Sequence, residues 1–263
     1  MSCRAQAYAA LIETDPSRKC AQVHALAADA VDARAAGFDW TQVPGRPQQP
    51  LLVSPREVPR RALGSIEGRC ALLHAVAHIE FNAINLALDA ACRFDGLPAQ
   101  FYADWISVAQ DEARHFQMLQ RRLGELGRHY GDFSAHNGLW EAAEKTAQDP
   151  LVRMALVPRV LEARGLDVTP SIIGRLRDVG DSGTIAVLEV ILREEVRHVA
   201  IGTRWFEYLC AGRGLDPQPT FARLLAEHRV RIAPPLNRPA RAQAGFGEAE
   251  MDALLAPSAT GST

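Results

Sequence analysis

The feature that most constrains the fold of this chain is a motif that occurs twice, Glu-x-x-His. Among eight histidines, only His115 and His198 have a glutamate three positions earlier, at Glu112 and Glu195. This spacing places both side chains on one face of a helix, where they can share a metal ion. The flanking residues match too, since the first motif lies in DEARH and the second in EEVRH. The resemblance indicates an internal duplication rather than two unrelated acid–histidine pairs.

One glutamate precedes each motif at nearly the same distance. Glu80 lies 32 residues before Glu112, and Glu162 lies 33 residues before Glu195. The chain therefore contains a helix with one glutamate followed by a helix with Glu-x-x-His, and then the same arrangement again. This is the ligand set that a four-helix bundle supplies to a dinuclear carboxylate centre in its core.

The helical faces around three of these glutamates are apolar, and an ionised carboxylate there is costly to bury unless it is paired or metal-bound. The face of Glu162 is less regular, because Pro158 and Arg159 interrupt it. Asp111 and Glu194 are predicted to accept hydrogen bonds from ligand histidines, or to lie as solvated acids at the rim. The predicted metal ligands are Glu80, Glu112, His115, Glu162, Glu195 and His198.

The periodicity and the positions of proline and glycine predict an all-α chain built around a four-helix bundle. Residues 1–63 are expected to form N-terminal helices and a proline-rich connector that pack on the bundle. Residues 64–212 are expected to form the bundle, and 213–263 a C-terminal extension with a disordered end. Ser65 is predicted to cap the first bundle helix, and Asp15 with Pro16 to begin an earlier one. In the third bundle helix, two prolines, Pro158 and Pro170, are expected to kink or divide the helix.

His74 and His78 lie four residues apart on the helix of Glu80, but His78 is 200° around the helix from Glu80. We therefore expect both histidines to be packed or hydrogen-bonded to a partner. His78 is the replacement ligand if Glu80 faces outward.

The net charge of −2 gives no overall attraction to nucleic acid or to an anionic membrane. Lysine occurs only at positions 19 and 145, which we attribute to genomic composition. Five separated cysteines predict free thiols in a reducing cytoplasm, and no apolar run is long enough for a signal peptide or a membrane span. The arginines of the tail are expected to form a solvated surface, so nucleic-acid binding is not predicted; these are Arg223, Arg229, Arg231, Arg238 and Arg241.

Several segments resemble the bacterial ferritin-like family catalogued as domain of unknown function 455. They are HAVAHIEFNAINLALDAACRF, DEARHF, LEARGLDVTP, EEVRHVAIG and PPLNRPARAQAGF, and the resemblance covers about residues 50 to 246. It implies a ferritin-like fold and the same six ligands. Asn85 departs from the family pattern, in which a second glutamate often occupies this helix. The family name implies no reaction.

The set of predicted ligands favours an O2-activating oxidase or hydroxylase with two iron ions, similar in its site to the tRNA-modifying di-iron hydroxylases. Two manganese ions or a mixed iron–manganese pair are the alternative metals. Iron handling or peroxide removal is the second hypothesis. Against it, the chain has no CxxC pair of the rubrerythrin kind, and its extensions would hinder a ferritin shell. The third hypothesis is a metal-free bundle of buried ion pairs. Leu119 occupies the position of the radical tyrosine of ribonucleotide reductase, which argues against that role.

The expected partners follow from this chemistry. They are O2 or peroxide, a small-molecule substrate and an electron donor, with a homodimer as an option and no membrane.

Overall fold

The computed structural model describes residues 2–27, 37–58 and 62–255, and the regular structure of these residues is helical. The one β feature among them is an isolated bridge between Leu52 and Ala135. The all-α prediction is therefore confirmed. The helices are α1 (Cys3–Ile12), α2 (Pro16–His24), α3 (Ile66–Arg93), α4 (Ala99–Glu125), α5 (Gly138–Lys145), α6 (Pro150–Leu156), α7 (Ala163–Asp178), α8 (Ser182–Gly212), α9 (Pro217–Glu227), α10 (Arg238–Gln243) and α11 (Glu248–Leu255).

The predicted helix starts are set by side-chain caps. The hydroxyl of Ser65 accepts a hydrogen bond from the backbone N–H of Gly68, 3.0 Å away, at the start of α3. Asp15 accepts from Arg18 N at 2.8 Å and is followed by Pro16 in the first turn of α2. Each cap satisfies a backbone donor that has no partner within its helix. The predicted helices in residues 28–36 and the predicted disordered end, 256–263, lie outside the described residues.

The third long helical region is divided at one of its two prolines, as expected, and continues through the other. A π-helical turn, Val157–Glu162, joins α6 directly to α7, and Pro158 is its second residue. The N–H of Ala163 donates to the carbonyl of Pro158, five residues earlier, which is the bond that defines a π turn. Pro158 thus divides the α-helical geometry without ending the helix, whereas α7 continues through Pro170.

The chain forms two compact units, one of residues 1–148 and 173–191 and the other of residues 149–172 and 192–263. In the first unit, α3 packs along α4, α1 packs on α3, and α2 packs on α4. Arg4 of α1 is buried and caps the end of α3, since its Nη2 donates to the carbonyl of Cys92 at 2.7 Å and to Asp95 at 2.6 Å. The positive charge is favourable at this helix C-terminus.

In the second unit, buried arginines attach the C-terminal segment. Arg159 of the π turn contacts the rings of three phenylalanines and pairs with Glu250 at 2.6 Å. Arg241 of α10 forms a two-pronged ion pair with Asp167 of α7, at 2.8 and 2.9 Å, and both side chains are fully buried. The expectation that the tail arginines are solvated is therefore wrong for Arg241, because a sequence does not show which tail residue faces the helices.

Helix α3 is long and apolar enough to cross a membrane by length and composition. However, 72% of its most apolar window is buried inside the fold, which is typical of the core helix of a soluble protein. All five cysteine thiols are free and buried, as predicted for unpaired cysteines. The cytoplasmic location remains a prediction.

Candidate metal centre

Helix α3 carries Glu80 into the interior of the first unit. Glu80 is 5% exposed, and the next residues along α3 are nearly all buried as well, including Phe81, Ile84 and Ala87. This stretch is apolar around much of its circumference, which is the pattern of a helix enclosed by others. The burial predicted for Glu80 is therefore present, and a carboxylate at such a position requires a partner.

Helix α4 supplies that partner. Glu112 and His115 are one turn apart, with exposed fractions of 1% and 0%. Nδ1 of His115 lies 3.3 Å from Oε2 of Glu80 and 3.3 Å from Oε2 of Glu112. Ligand atoms of all three residues lie within 4.8 Å of one another, so this buried group could hold a metal ion. We call Glu80, Glu112 and His115 the first half-site.

The electrostatics of the first half-site favour a positive charge on or near the imidazole. Burial opposes protonation of His115, but hydrogen bonds from its imidazole to the carboxylates of Glu112 and Glu80 outweigh it and raise the pKa of His115 to about 11. Two carboxylates and one ring nitrogen could thus hold a cation, either the proton of the imidazolium or a metal ion in its place.

In the second unit, Glu195 and His198 repeat the local geometry on α8. Nδ1 of His198 lies 3.2 Å from Oε1 of Glu195, and the exposed fractions are 0% and 9%. Glu162 is the last residue of the π turn and is partly buried. We call Glu162, Glu195 and His198 the second half-site.

A glycine on α8 positions the π turn in this unit. A Cβ built on Gly202 would lie 2.3 Å from the ring carbons of Pro158, so only glycine permits this contact. Gly202 lies one helical turn beyond His198, on the same face of α8. The π turn that ends at Glu162 therefore packs against the face that carries the Glu-x-x-His motif, which accounts for a proline in the middle of a ligand-bearing helix.

The acids beside the motifs have local partners at the surface. Asp111 pairs with Arg114 at 2.6 Å, and Oε1 of Glu194 lies 3.9 Å from Arg193. Both acids are partly exposed. Their predicted hydrogen bonds to the ligand histidines stay predictions.

His74 and His78 are bonded to partners, as predicted. Nε2 of His74 accepts from the backbone N–H of Gly131 at 2.9 Å, and Nδ1 of His78 lies 2.8 Å from the hydroxyl of Tyr130. Burial lowers the pKa of each ring to about 4, so both are neutral at physiological pH. Because Glu80 is buried, His78 is not needed in its place.

Sequence reasoning missed the role of Lys19. Nζ of this fully buried residue donates to the carbonyl of Leu11 at 2.9 Å and to Oδ1 of Asn85 at 2.5 Å, so the residue that departs from the family pattern anchors α2 to α3. Burial lowers the pKa of Lys19 to about 7. The one signal in the sequence was that Lys19 is one of two lysines in a chain whose other basic side chains are almost all arginine.

The chain is similar to known proteins along most of its length. The model of a family described as "Protein of unknown function (DUF455)" matches residues 12–252. A Haemophilus influenzae protein described as uncharacterized is 49% identical over 215 residues, which cover 78% of this chain and 74% of the relative. No solved structure matches the chain.

Proposed function

We propose that this chain, which belongs to the DUF455 family, is a ferritin-like di-iron carboxylate protein that activates O2 to oxidise or hydroxylate a small molecule. The observation that carries the proposal is the first half-site, in which two buried carboxylates and a buried imidazole from two helices lie within 4.8 Å of one another. The second half-site carries the same three residue types, in the same order along the chain. The proposal keeps the sequence prediction that these six residues are the ligands of one pair of metal ions.

The donor set fits iron. Carboxylate oxygens and neutral imidazole nitrogens are the ligands that suit Fe²⁺ and Mn²⁺, whereas a zinc site built on thiolates would require paired cysteines. Four carboxylates, from Glu80, Glu112, Glu162 and Glu195, offset the four positive charges of two divalent ions. Because the charges balance, the whole group can be buried without the large desolvation penalty that isolated carboxylates would carry.

The residues of the chain also fit an oxidase. When bound, two ferrous ions supply the electrons that activate O2. The glutamates can change between one-oxygen and two-oxygen ligation as the metal charge changes, and the histidines remain neutral ligands. Apolar residues around Glu80 exclude water from the centre, which protects it from side reactions.

Anaerobic loading of the purified chain with Fe²⁺, followed by exposure to O2, tests the proposal. We expect two iron ions per chain and, after O2, the Mössbauer signature of an antiferromagnetically coupled diferric pair. Two uncoupled ferric signals would show separate mononuclear sites and overturn the shared centre. A chain that takes up no iron or manganese would be the metal-free bundle.

Oxygen consumption separates an oxidase from an iron-handling protein. An oxidase with a bound pair consumes O2 repeatedly when a reductant and a substrate-containing extract are supplied. A storage protein consumes O2 only in proportion to added Fe²⁺ and accumulates more than two ions per chain. The second outcome would move the function to iron handling while leaving the ligand assignment in place.

A further inference from the structure

A small cavity in the first unit combines apolar walls with a few polar groups, independently of the metal ligands. Its volume is about 180 Å³. The walls are largely proline, leucine and phenylalanine side chains, from Pro47, Pro50, Leu51, Leu52 and Phe81. The polar groups are Arg46, Gln48, His78, Asn82 and Tyr130. Ligand sites have this composition, in which apolar surface gives affinity and a few polar groups fix orientation.

Arg46 is the group that the fold leaves unsatisfied. Its Nη2 is buried and has no hydrogen-bond partner among the described residues. The guanidinium lies 6.0 Å from the centre of the Trp140 ring. Burial lowers the pKa of Arg46, and the charge of Glu144, which accepts a hydrogen bond from Trp140 Nε1 at 3.0 Å, opposes that shift. The guanidinium is partly buried, and its buried Nη2 is a donor without an acceptor, which a bound anion would satisfy.

The hydroxyl of Tyr130 supplies a second polar contact. Asn82 Nδ2 lies 3.0 Å from Nε2 of His78, and an amide NH2 only donates, so Nε2 is the acceptor. His78 Nε2 also lies 3.2 Å from the carbonyl of His136, but the same Asn82 nitrogen donates to the backbone carbonyl of His78 at 2.9 Å, which fixes the amide orientation and makes Nε2 its acceptor. The ring proton is then on Nδ1 and is donated to Tyr130 at 2.8 Å. Tyr130 keeps its own hydroxyl proton for another acceptor.

The backbone around Arg46 is held in place, so the cavity does not depend on a loose loop. The N–H of Gly45 donates to the carbonyl of Leu11 at 2.9 Å, and a Cβ on Gly45 would lie 2.1 Å from the carbonyl oxygen of Ile12. At the other end of the cavity wall, Val53 N donates to Ala135 O at 2.8 Å and Ala135 N donates to Leu51 O at 3.0 Å. A preorganised wall lowers the cost of binding.

From these contacts we infer that the cavity binds a small monocarboxylic acid, with the carboxylate at Arg46 and Tyr130 and the apolar part against the prolines and Phe81. One guanidinium matches one carboxylate in charge and in planar geometry. A cavity of about 150 Å³ holds a benzene ring, so a ligand of benzoate size fits the volume. Larger acids extend past Leu51, which is exposed at the rim.

Titration of the full-length protein with 4-fluorobenzoate, followed by ¹⁹F NMR, tests the inference. We expect saturable binding at one site per chain, with 4-fluorobenzamide, the neutral analogue of the same shape, at least about tenfold weaker. Arg46→Gln should weaken 4-fluorobenzoate at least about tenfold, and Tyr130→Phe about fivefold. Arg56→Gln, the same change at an exposed position of the same connector, should leave the affinity unchanged.

Three results would overturn the assignment: equal affinity for acid and amide, unchanged affinity in Arg46→Gln, or no saturation below roughly 10 mM. If Arg46→Gln does not fold, Arg46→Lys and Tyr130→Phe decide the matter, because the lysine keeps the charge and should bind with intermediate affinity. Loss of the metal centre would not affect this titration, so the two proposals fail separately.

Discussion

Each unit buries a basic side chain between two helices, Lys19 in the first and Arg241 in the second, and the hydrogen-bond acceptors of the two side chains differ in charge. In the first unit, Lys19 joins α2 to α3 through two neutral acceptors, the carbonyl of Leu11 and the amide of Asn85. In the second, Arg241 joins α10 to α7 through the carboxylate of Asp167. A lysine without a carboxylate can release its proton when it is buried, whereas an arginine stays charged and needs a counter-ion. The first attachment is therefore sensitive to pH, and the second depends on an intact ion pair.

The two half-sites differ in the regularity of the backbone that carries them. The first stands on two regular α-helices, and its three residues follow from helical periodicity and the packing of α3 on α4. The second includes a π turn held against Gly202 by Pro158, so Glu162 depends on an irregular backbone. The first half-site therefore uses regular α-helical periodicity, whereas the second depends on a local departure from it. π turns occur often at functional sites.

Breaking the buried ion pair of the second unit should have the largest effect on stability. Arg241→Met leaves Asp167 without its counter-ion, and we expect the free energy of unfolding to fall by about 3–5 kcal/mol. Urea denaturation measures this loss. Arg223→Met removes an exposed partner of Glu227 and should cost less than about 1 kcal/mol. Similar losses in the two variants would show that the buried pair does not hold the tail.

Replacing one glutamate in each half-site tests whether the half-sites are equivalent. Glu112→Gln and Glu195→Gln should each weaken iron binding by at least about 100-fold, since even partners of metal ligands contribute 10–100-fold. Glu125→Gln and Glu189→Gln, at exposed positions of the same helices, are the matched controls. Metal analysis after dialysis gives the answer. Retention of the full iron content by either ligand variant would remove that residue from the ligand set.

The contact between Pro158 and Gly202 should be specific to glycine. Gly202→Ala places a methyl group against the proline ring, and we expect a loss of about 1–3 kcal/mol in unfolding free energy. The double variant with Pro158→Ala should recover part of the loss. Gly165→Ala, at an uncrowded position of α7, should instead stabilise by about 0.5–1 kcal/mol. A Gly202→Ala protein as stable as the wild type would mean that this contact does not fix the π turn.

The pH dependence of stability should distinguish Lys19 from the arginine of the second unit. The pKa of Lys19 is about 7 in the folded chain and ordinary, near 10.5, in the unfolded chain. Between these values the unfolded chain binds more protons, so the contribution of Lys19 to stability rises with pH. From pH 7 to 8 the rise is about 1 kcal/mol. Urea denaturation at both pH values measures this rise, and the Lys19→Met variant should not show it.

The quantity to compare is the difference in unfolding free energy between the wild type and Lys19→Met, because His115 and the cysteines titrate in both proteins. Burial raises the pKa of Cys20 to about 12, so this thiol loses its proton first in the unfolded chain, and both proteins share that effect on stability. Parallel stability curves for wild type and Lys19→Met between pH 7 and 8 would show that Lys19 does not change its protonation there.

The sequence predicted the elements that depend on local rules. The caps at Ser65 and Asp15 lie where expected, and α3, α4 and α8 carry Glu80, Glu112 and Glu195 as the helical period requires. The partner-bonded state of His78 was also expected from its angle to Glu80. These predictions needed only a spacing of three or four residues, which a helix converts into a shared face.

The partners of the buried cations were not predictable in this way. Asn85 is 66 residues from Lys19, and Asp167 is 74 residues from Arg241. No periodicity links positions so far apart. Tyr130 and Arg46 were likewise missed, because both lie in irregular segments whose course is set by contacts with other elements.

The sequence by itself determined where α2 and α3 begin, which face of the glutamate-bearing helices is apolar, and that a glutamate and a histidine share a turn in both halves. Only the tertiary structure decided that Glu80 meets His115, 35 residues away, and that Pro158 bends its helix into a π turn instead of ending it. The physical reason is range: hydrogen bonds and sterics within a turn act on neighbours in sequence, whereas burial and charge pairing act on neighbours in space.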